Sequence, residues 1–290
     1  MSSDRLQDSL DIDRRSAIEI VDLIQSQDRL VVDAIAVDRE RLARAIEEVA
    51  ERLRHGGRMF YIGAGTSGRI AMVDASELPP TFGVPADLVQ VIMAGGEEAF
   101  FRAVEGAEDS EEEGIAAVAA RVRAEDAVVG IAASGSTPFT VGGIRKANML
   151  GALTIGITSV ANSPLVQECD IPIVAATGPE VIMGSSRMKS GTAQKLILNT
   201  LSTGVMVLLG KVYSNLMIEM PATNQKLQRR AQRMVEIASG ASAAEARRAL
   251  VESGGDVKGS IVMLKKGVTA KEAQALLEGS HGNLRGVLES

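Results

Sequence analysis

Apolar and polar positions along this chain fall into blocks whose period changes, and those changes mark out its elements. Between Asp13 and about Arg54 two segments show helical spacing. Ile18, Ile20, Val21 and Ile24 carry the first; Leu42, Ala45, Ile46, Val49 and Leu53 carry the second. His55-Gly-Gly57 stops the second, with His55 read as a helix-end cap. Five short apolar runs follow, over 58–62, 88–93, 127–132, 153–158 and 171–174, each of a length suited to a buried strand. Helical stretches separate them. One should end near Glu77-Leu-Pro-Pro80, another covers Glu97 to Glu105, and a capping box at Ser110-Glu-Glu-Glu113 opens a third that runs to about Arg123. Thr137 reads as an N-cap with Pro138 at the first helical position, Ser163-Pro164 starts a short helix, and a long apolar helix reaches about Gly210. Alternation of this kind predicts an α/β fold: a mainly parallel sheet with helices on both faces.

From about Ala222 the strand signal disappears. Ser242-x-x-Glu245 and Thr269-x-x-Glu272 are capping boxes, and glycines punctuate the segment, so it reads as a small bundle of three to five helices. The expected domains are therefore 1–54, helical; 55–221, the α/β body; and 222–290, the carboxyl-terminal bundle.

Three junctions from strand to helix are rich in glycine and hydroxyls: Gly63-Ala-Gly-Thr-Ser-Gly-Arg69, Ala133-Ser-Gly-Ser-Thr137 and Gly184-Ser-Ser-Arg-Met-Lys189. A helix that starts at such a junction presents unpaired backbone N–H groups and partial positive charge to one spot, which suits an anion. Hydroxyls of Thr66, Ser67, Ser134, Ser136, Ser185 and Ser186 would add donors. Small residues that merely permit tight turns explain one such junction more easily than three. The expected ligand is a phosphorylated, polyhydroxylated small molecule, bound outside the carboxyl ends of the strands. We expect its phosphate at Ser134-Gly-Ser136, Thr137 and the helix begun by Pro138.

Composition narrows the remaining choices. The 290 residues are 46% hydrophobic, with 29 Gly, no Trp, two Tyr and five Phe, and the net charge is −6. Scattered basic residues and few aromatics argue against a nucleic-acid surface. The apolar stretch from Leu196 to Leu209 is too short and too polar for a bilayer, and the first residues lack a signal-peptide core. A lone cysteine, Cys169, fits a reducing cytoplasm. Two histidines and one cysteine in unrelated contexts argue against a metal site or a Ser–His nucleophile, so no cofactor is expected.

Carboxylates are left as acid–base groups. Glu77 stands at the expected helix end, where the dipole and partial burial would raise its pKa. Glu105 and Glu108, three apart, would share a side if their turn is helical; spacing alone equally allows a solvated acidic run, continued by Asp109 and Glu111 to Glu113.

The motifs together carry more than each alone. Gly63-Ala-Gly-Thr-Ser-Gly-Arg69, Asp74-Ala-Ser-Glu77 with Pro79-Pro-Thr81, Ala103-Val-Glu-Gly-Ala-Glu-Asp109, Gly130-Ile-Ala-Ala-Ser-Gly135, Gly184-Ser-Ser-Arg-Met-Lys189 with Gly191-Thr-Ala-Gln-Lys195, and Ala222-Thr-Asn224 occur in that order. From about Asp11 onward the chain resembles the N-acetylmuramic acid 6-phosphate etherases, which carry a sugar-isomerase (SIS) domain shared with the glucokinase regulatory protein. The resemblance implies a flavodoxin-like SIS fold, a UBA-like carboxyl-terminal domain, and a homodimer with its site near the subunit interface. It also implies cleavage of the lactyl ether to give N-acetylglucosamine 6-phosphate and D-lactate. On this resemblance the catalytic pair is Glu77 and Glu108, not Glu105. The sugar phosphate would be held by Gly65, Thr66, Ser67, Ser134, Gly135, Ser136, Thr137, Glu180, Ser185, Ser186, Arg187 and Lys189. The chain departs from the family pattern at Ser2, Ser3 and Leu6, where a Thr-Glu-x-x-Asn-like element is usual, and at Leu78, where Cys is usual. An aldose–ketose isomerase and a non-catalytic regulator are the alternatives; the first would release no lactate, and the second should have lost one of the two glutamates.

Overall fold

The computed structural model describes residues 5–219, 225–280 and 282–290. Ser2, Ser3, Ala222-Thr-Asn224 and His281 lie outside the described residues. Contacts divide the chain into two units, residues 1–76 with 86–205 and residues 77–85 with 206–290.

The first unit opens with α1 (Ala17–Asp28), α2 (Leu30–Ala36) and α3 (Arg39–Arg54), three helices where two segments were expected. The break before α3 falls at Asp38, whose carboxylate accepts the backbone N–H of Val174 at 2.6 Å. α3 buries Leu42, Ala45, Val49, Ala50 and Leu53 and ends, as expected, on His55.

The α/β body then runs through β1 (Met59–Gly63), α4 (Gly65–Phe82), β2 (Val89–Met93), α5 (Glu98–Phe101), α6 (Glu111–Ala119), β3 (Ala127–Ile131), α7 (Pro138–Leu150), β4 (Leu153–Thr158), α8 (Pro164–Glu168), β5 (Ile171–Val174) and α9 (Lys189–Leu208). All five strands are parallel, in the order β2-β1-β3-β4-β5. Every residue of β1, β3 and β4 is buried, so helices cover both faces. On one face Phe60, Ile62 and Val128 pack with Val118 of α6 and with Phe139 and Ile144 of α7.

On the other face the buried Tyr61 donates its hydroxyl to Asp74 of α4 at 2.8 Å. The same carboxylate accepts from Asn199 Nδ2 at 2.8 Å and Ser202 Oγ at 3.1 Å on α9. A buried carboxylate needs such donors, and here they tie β1, α4 and α9 together. Burial and the Asp74 charge push the Tyr61 hydroxyl pKa well above 10.0. At the opposite end of the sheet, buried Asp126 accepts from the Arg58 and Arg123 backbone amides and pairs with the Arg58 guanidinium, each at 2.8 Å.

Strand positions agree with the sequence reading to within a residue; helix ends differ more. α4 runs through Pro79 and Pro80 to Phe82 instead of stopping before them. The expected helix from Glu97 to Glu105 shrinks to the four residues of α5, because Gly95, Gly96 and Gly106 all adopt positive φ and break the ladder on either side. α6 opens on Ser110, whose hydroxyl accepts from Glu113 N, and stops at Ala119.

The second unit contains an unanticipated hairpin, β6 (Val212–Tyr213) and β7 (Leu216–Met217), closed by Ser214 at φ 53°. Strands of two residues leave no periodic signal. Then come α10 (Gln225–Ser239), α11 (Ala243–Glu252), α12 (Val257–Lys266), α13 (Ala270–Gly279) and α14 (Leu284–Glu289). Both anticipated capping boxes form, at Ser242/Glu245 and Thr269/Glu272. Val235, Ile261, Val262 and Leu277 centre its core. Within this unit Gly83, at φ +62°, lies so close to the Glu219 carbonyl that a Cβ would overlap it. Among the described residues no helix is long and apolar enough to cross a membrane.

Candidate active site

In the strand order 2-1-3-4-5 the chain leaves β1 toward one side for β2 and the other for β3. Crevices at such switch points, outside the carboxyl ends of the strands, hold ligands in open α/β sheets. Gly63, the last residue of β1, pairs with Met93 of β2 on one side and Ile131 of β3 on the other. The first two glycine- and hydroxyl-rich junctions therefore flank the switch point.

The first junction is tighter than the sequence reading had it. Only Ala64 separates β1 from α4, so Gly65, Thr66 and Ser67 belong to the first helical turn, with Ser67 buried. Gly68 lets the elements approach closely: a Cβ there would overlap Met93 Sδ and crowd the Gly63 carbonyl. That contact seats the start of α4 against the ends of β1 and β2.

Beside this turn lies a pocket of about 170 Å³, lined by Gly65, Arg69, Met93, Val104, Glu105 and Glu108 among others. The structure thus brings Glu105 and Glu108 to one pocket, though not on one helix face. Gly106, at φ +76°, separates them, and Glu108 sits in the single 3₁₀ turn Ala107–Asp109. Both are exposed. Arg69, which the sequence reading had not singled out although it closes the first motif, reaches across to the segment carrying them. Its Nε donates to the Ala99 carbonyl at 3.0 Å and its Nη2 to the Arg102 carbonyl at 3.2 Å.

The second junction keeps its helix start open. Thr137 is the N-cap and Pro138 the first residue of α7, as expected, yet the Thr137 side chain makes no capping hydrogen bond. Ser134 Oγ accepts from both the backbone N–H of Ser136, at 3.2 Å, and its hydroxyl, at 3.0 Å, which fixes the loop. Gly135 takes φ +65°, and a Cβ there would overlap the buried hydroxyl of Ser163.

The third junction differs. Buried Glu180 turns its carboxylate onto the start of α9, accepting the amides of Lys189 and Ser190 at 2.9 Å each. An internal anion already occupies that helix end, contrary to the expectation of three open anion sites. Lys189 is buried too. Its ammonium donates to Gln27 Oε1 at 2.9 Å, and burial lowers its pKa against the pull of Glu180 and Asp28. Of the residues expected here, Ser185 and Ser186 are half-buried and Arg187 is exposed, while Glu180 and Lys189 face inward.

Glu77 lies on α4 two residues before Pro79, in the second unit. It is exposed, so the partial burial expected for it is absent, and the helix ends five residues later, at Phe82.

Comparison with known proteins agrees with this fold. Residues 41–148 match the glucokinase regulatory protein N-terminal SIS domain, and residues 103–204 match the SIS domain. A phosphoheptose isomerase from Francisella tularensis aligns with a TM-score of 0.54 at 21% identity, over 67% of this chain and 99% of that one, a likeness of fold. N-acetylmuramic acid 6-phosphate etherases are far nearer in sequence. That of Yersinia pestis is 47% identical over 99% of this chain and 98% of its own. That of Symbiobacterium thermophilum is 56% identical over 91% and 88%. Identity at this level across nearly the whole of both chains means that the chain belongs to the N-acetylmuramic acid 6-phosphate etherase family.

Proposed function

We propose that this protein cleaves the D-lactyl ether of N-acetylmuramic acid 6-phosphate, releasing D-lactate and N-acetylglucosamine 6-phosphate during recycling of cell-wall amino sugars. Family membership over almost the full chain is the observation that carries this reading. The substrate phosphate sits at Ser134-Gly-Ser136 and Thr137, against the uncapped amides of α7. This placement is supported by the free helix start, the fixed loop hydroxyls and the switch-point position.

The chemistry runs on carboxylates. In the open-chain sugar the aldehyde acidifies the proton on carbon 2. Glu108 takes that proton, the bond from carbon 3 to the ether oxygen breaks, and Glu77 gives the departing lactate its proton. Glu77 then takes a proton from water as the oxygen adds to carbon 3 of the unsaturated aldehyde, and carbon 2 is reprotonated. Ether and water are consumed, and alcohol and lactate are formed, without change of oxidation state overall.

The working form is a cytoplasmic homodimer. Ile18, Val21, Leu30, Val32 and Val37 of the first two helices and their flank are exposed in the single chain, which supports a partner subunit there. Burial pushes the Cys169 thiol up to about 11, as suits an unreactive cysteine in a reducing compartment.

Turnover in deuterated, oxygen-18 water tests the reading. Elimination with water addition places deuterium on carbon 2 and the heavy oxygen on carbon 3 of the sugar, beside unlabelled lactate. Heavy oxygen on lactate would indicate displacement at the lactyl carbon instead. A ketose product without lactate would establish the isomerase alternative.

A further inference from the structure

Arg69 is the one basic side chain lining the pocket that holds Glu105 and Glu108. Its guanidinium is only partly used. Nε and one face of Nη2 are engaged with the carbonyls of Ala99 and Arg102, both neutral acceptors. Among the described residues no carboxylate lies within ion-pair distance of it, although two line the same pocket. A guanidinium has five donors in a rigid fork, so an edge of Arg69 remains for a ligand, and its charge lacks a partner. The amino-terminal turn of α4, which Arg69 directly follows and whose Gly65 also lines the pocket, adds partial positive charge at its edge.

The substrate read above carries two anionic groups, and they differ in what they need. The phosphate has its own site at the start of α7. The second anion is the carboxylate of the lactyl group, joined through the ether oxygen to carbon 3, next to the carbon whose proton Glu108 handles. A pocket that brings Glu108 to carbon 2 must therefore also enclose the lactyl group. Ala99, Ala103 and Val104 in its wall are small and apolar, and fit the lactyl methyl.

Resting on that functional reading, we propose that Arg69 receives the lactyl carboxylate, and so determines that the enzyme acts on an acidic ether and not on a neutral one. The arginine has two tasks from one position. Its carbonyl contacts hold α5 and the residue that ends it, and its free edge orients the leaving group. A bidentate pair with a carboxylate is the geometry for which arginine, and not lysine, is suited.

The test compares two substrates with two forms of the protein. One substrate is N-acetylmuramic acid 6-phosphate; the other is its lactamide, in which the carboxylate is a neutral amide. The amide is the more electron-withdrawing, so its alcohol is intrinsically the better leaving group, and a preference for the acid must come from the protein. We expect the parent protein to favour the acid in kcat/KM by roughly ten- to a hundred-fold, the range for losing a charge-assisted hydrogen bond. Arg69→Gln should lose about that factor on the acid and little on the amide, and Arg69→Lys should fall between. Equal rates on both substrates with the parent protein would overturn the proposal, and need no variant to fold. An equal loss on both with Arg69→Gln would also overturn it, leaving the arginine as a clamp on the backbone. If the parent protein released neither lactate nor lactamide, the functional reading itself would fail, a result distinct from either.

Discussion

Glu180 holds Lys189, the first residue of α9, by its backbone amide at 2.9 Å, and holds the next amide with its other oxygen. On the proposed function the contact bears on which strand-to-helix junction receives the phosphate, because a helix end occupied by a buried carboxylate repels an anion. Glu180→Ala should therefore cost stability, about 1–3 kcal/mol for amides left unpaired, measured by urea denaturation. Product affinity of the folded fraction should change far less. A large loss of affinity with unchanged stability would place phosphate at the third junction after all.

Ser134→Ala and Ser136→Ala should each weaken binding of N-acetylglucosamine 6-phosphate by about 1 kcal/mol, roughly five-fold. Titration calorimetry reads the change. Gly135→Ala should do worse than either, because it combines a positive φ with an overlap on Ser163. It should cost about 1–2 kcal/mol of stability and most of the ligand affinity. Wild-type affinity in all three would move the phosphate elsewhere.

Glu77→Gln and Glu108→Gln should retain ligand binding and lose lactate release by ~10²–10⁴-fold or more, since an amide keeps the shape but exchanges no proton. Deuterium uptake at carbon 2 separates the two. Uptake without lactate is expected from Glu77→Gln, and neither from Glu108→Gln.

Tyr61 gives the protein a pH dependence whose sign follows from its burial. The folded-state pKa lies well above 10.0, so the unfolded chain releases the proton first. The associated stability is present in full below pH 10 and is lost as pH rises through the folded pKa. Stability should fall more steeply above pH 10 in the parent protein than in Tyr61→Phe. With two tyrosines and no tryptophan, absorbance at 295 nm reads the event directly. Tyr61 should titrate only on unfolding.

How far the sequence disclosed this molecule depended on the range of the interactions involved. The strands were legible because each is a short, mostly apolar run, buried on both faces in β1, β3 and β4, and Thr137-Pro138 because a cap is a local device. The end of α4 was misread at Pro79-Pro80, since proline forbids a helical bond to the preceding turn yet tolerates a helix held by packing around Leu78 and Phe82. The inward turn of Glu180 onto Lys189 was hidden for another reason. Eight residues without regular structure separate cap and helix, and nothing local announces where such a loop folds back. Arg69 was passed over because its partners are main-chain carbonyls thirty and more positions away.

The two prolines in α4 have a mechanical consequence for the residue that precedes them. Neither has an N–H to give the carbonyl four positions back, so the turn at Ala75 and Ser76 lacks two of the bonds that stiffen the rest of the helix. Glu77 follows immediately. Upstream, by contrast, Asp74 is anchored by three donors from two other elements. Backbone bonding thus thins at the step between the anchored Asp74 and Glu77, and the burial of Leu78 and Phe82 carries the helix beyond it. On the role proposed for Glu77, which serves the lactyl oxygen and then a water, those two missing bonds are the local source of adjustment between the two.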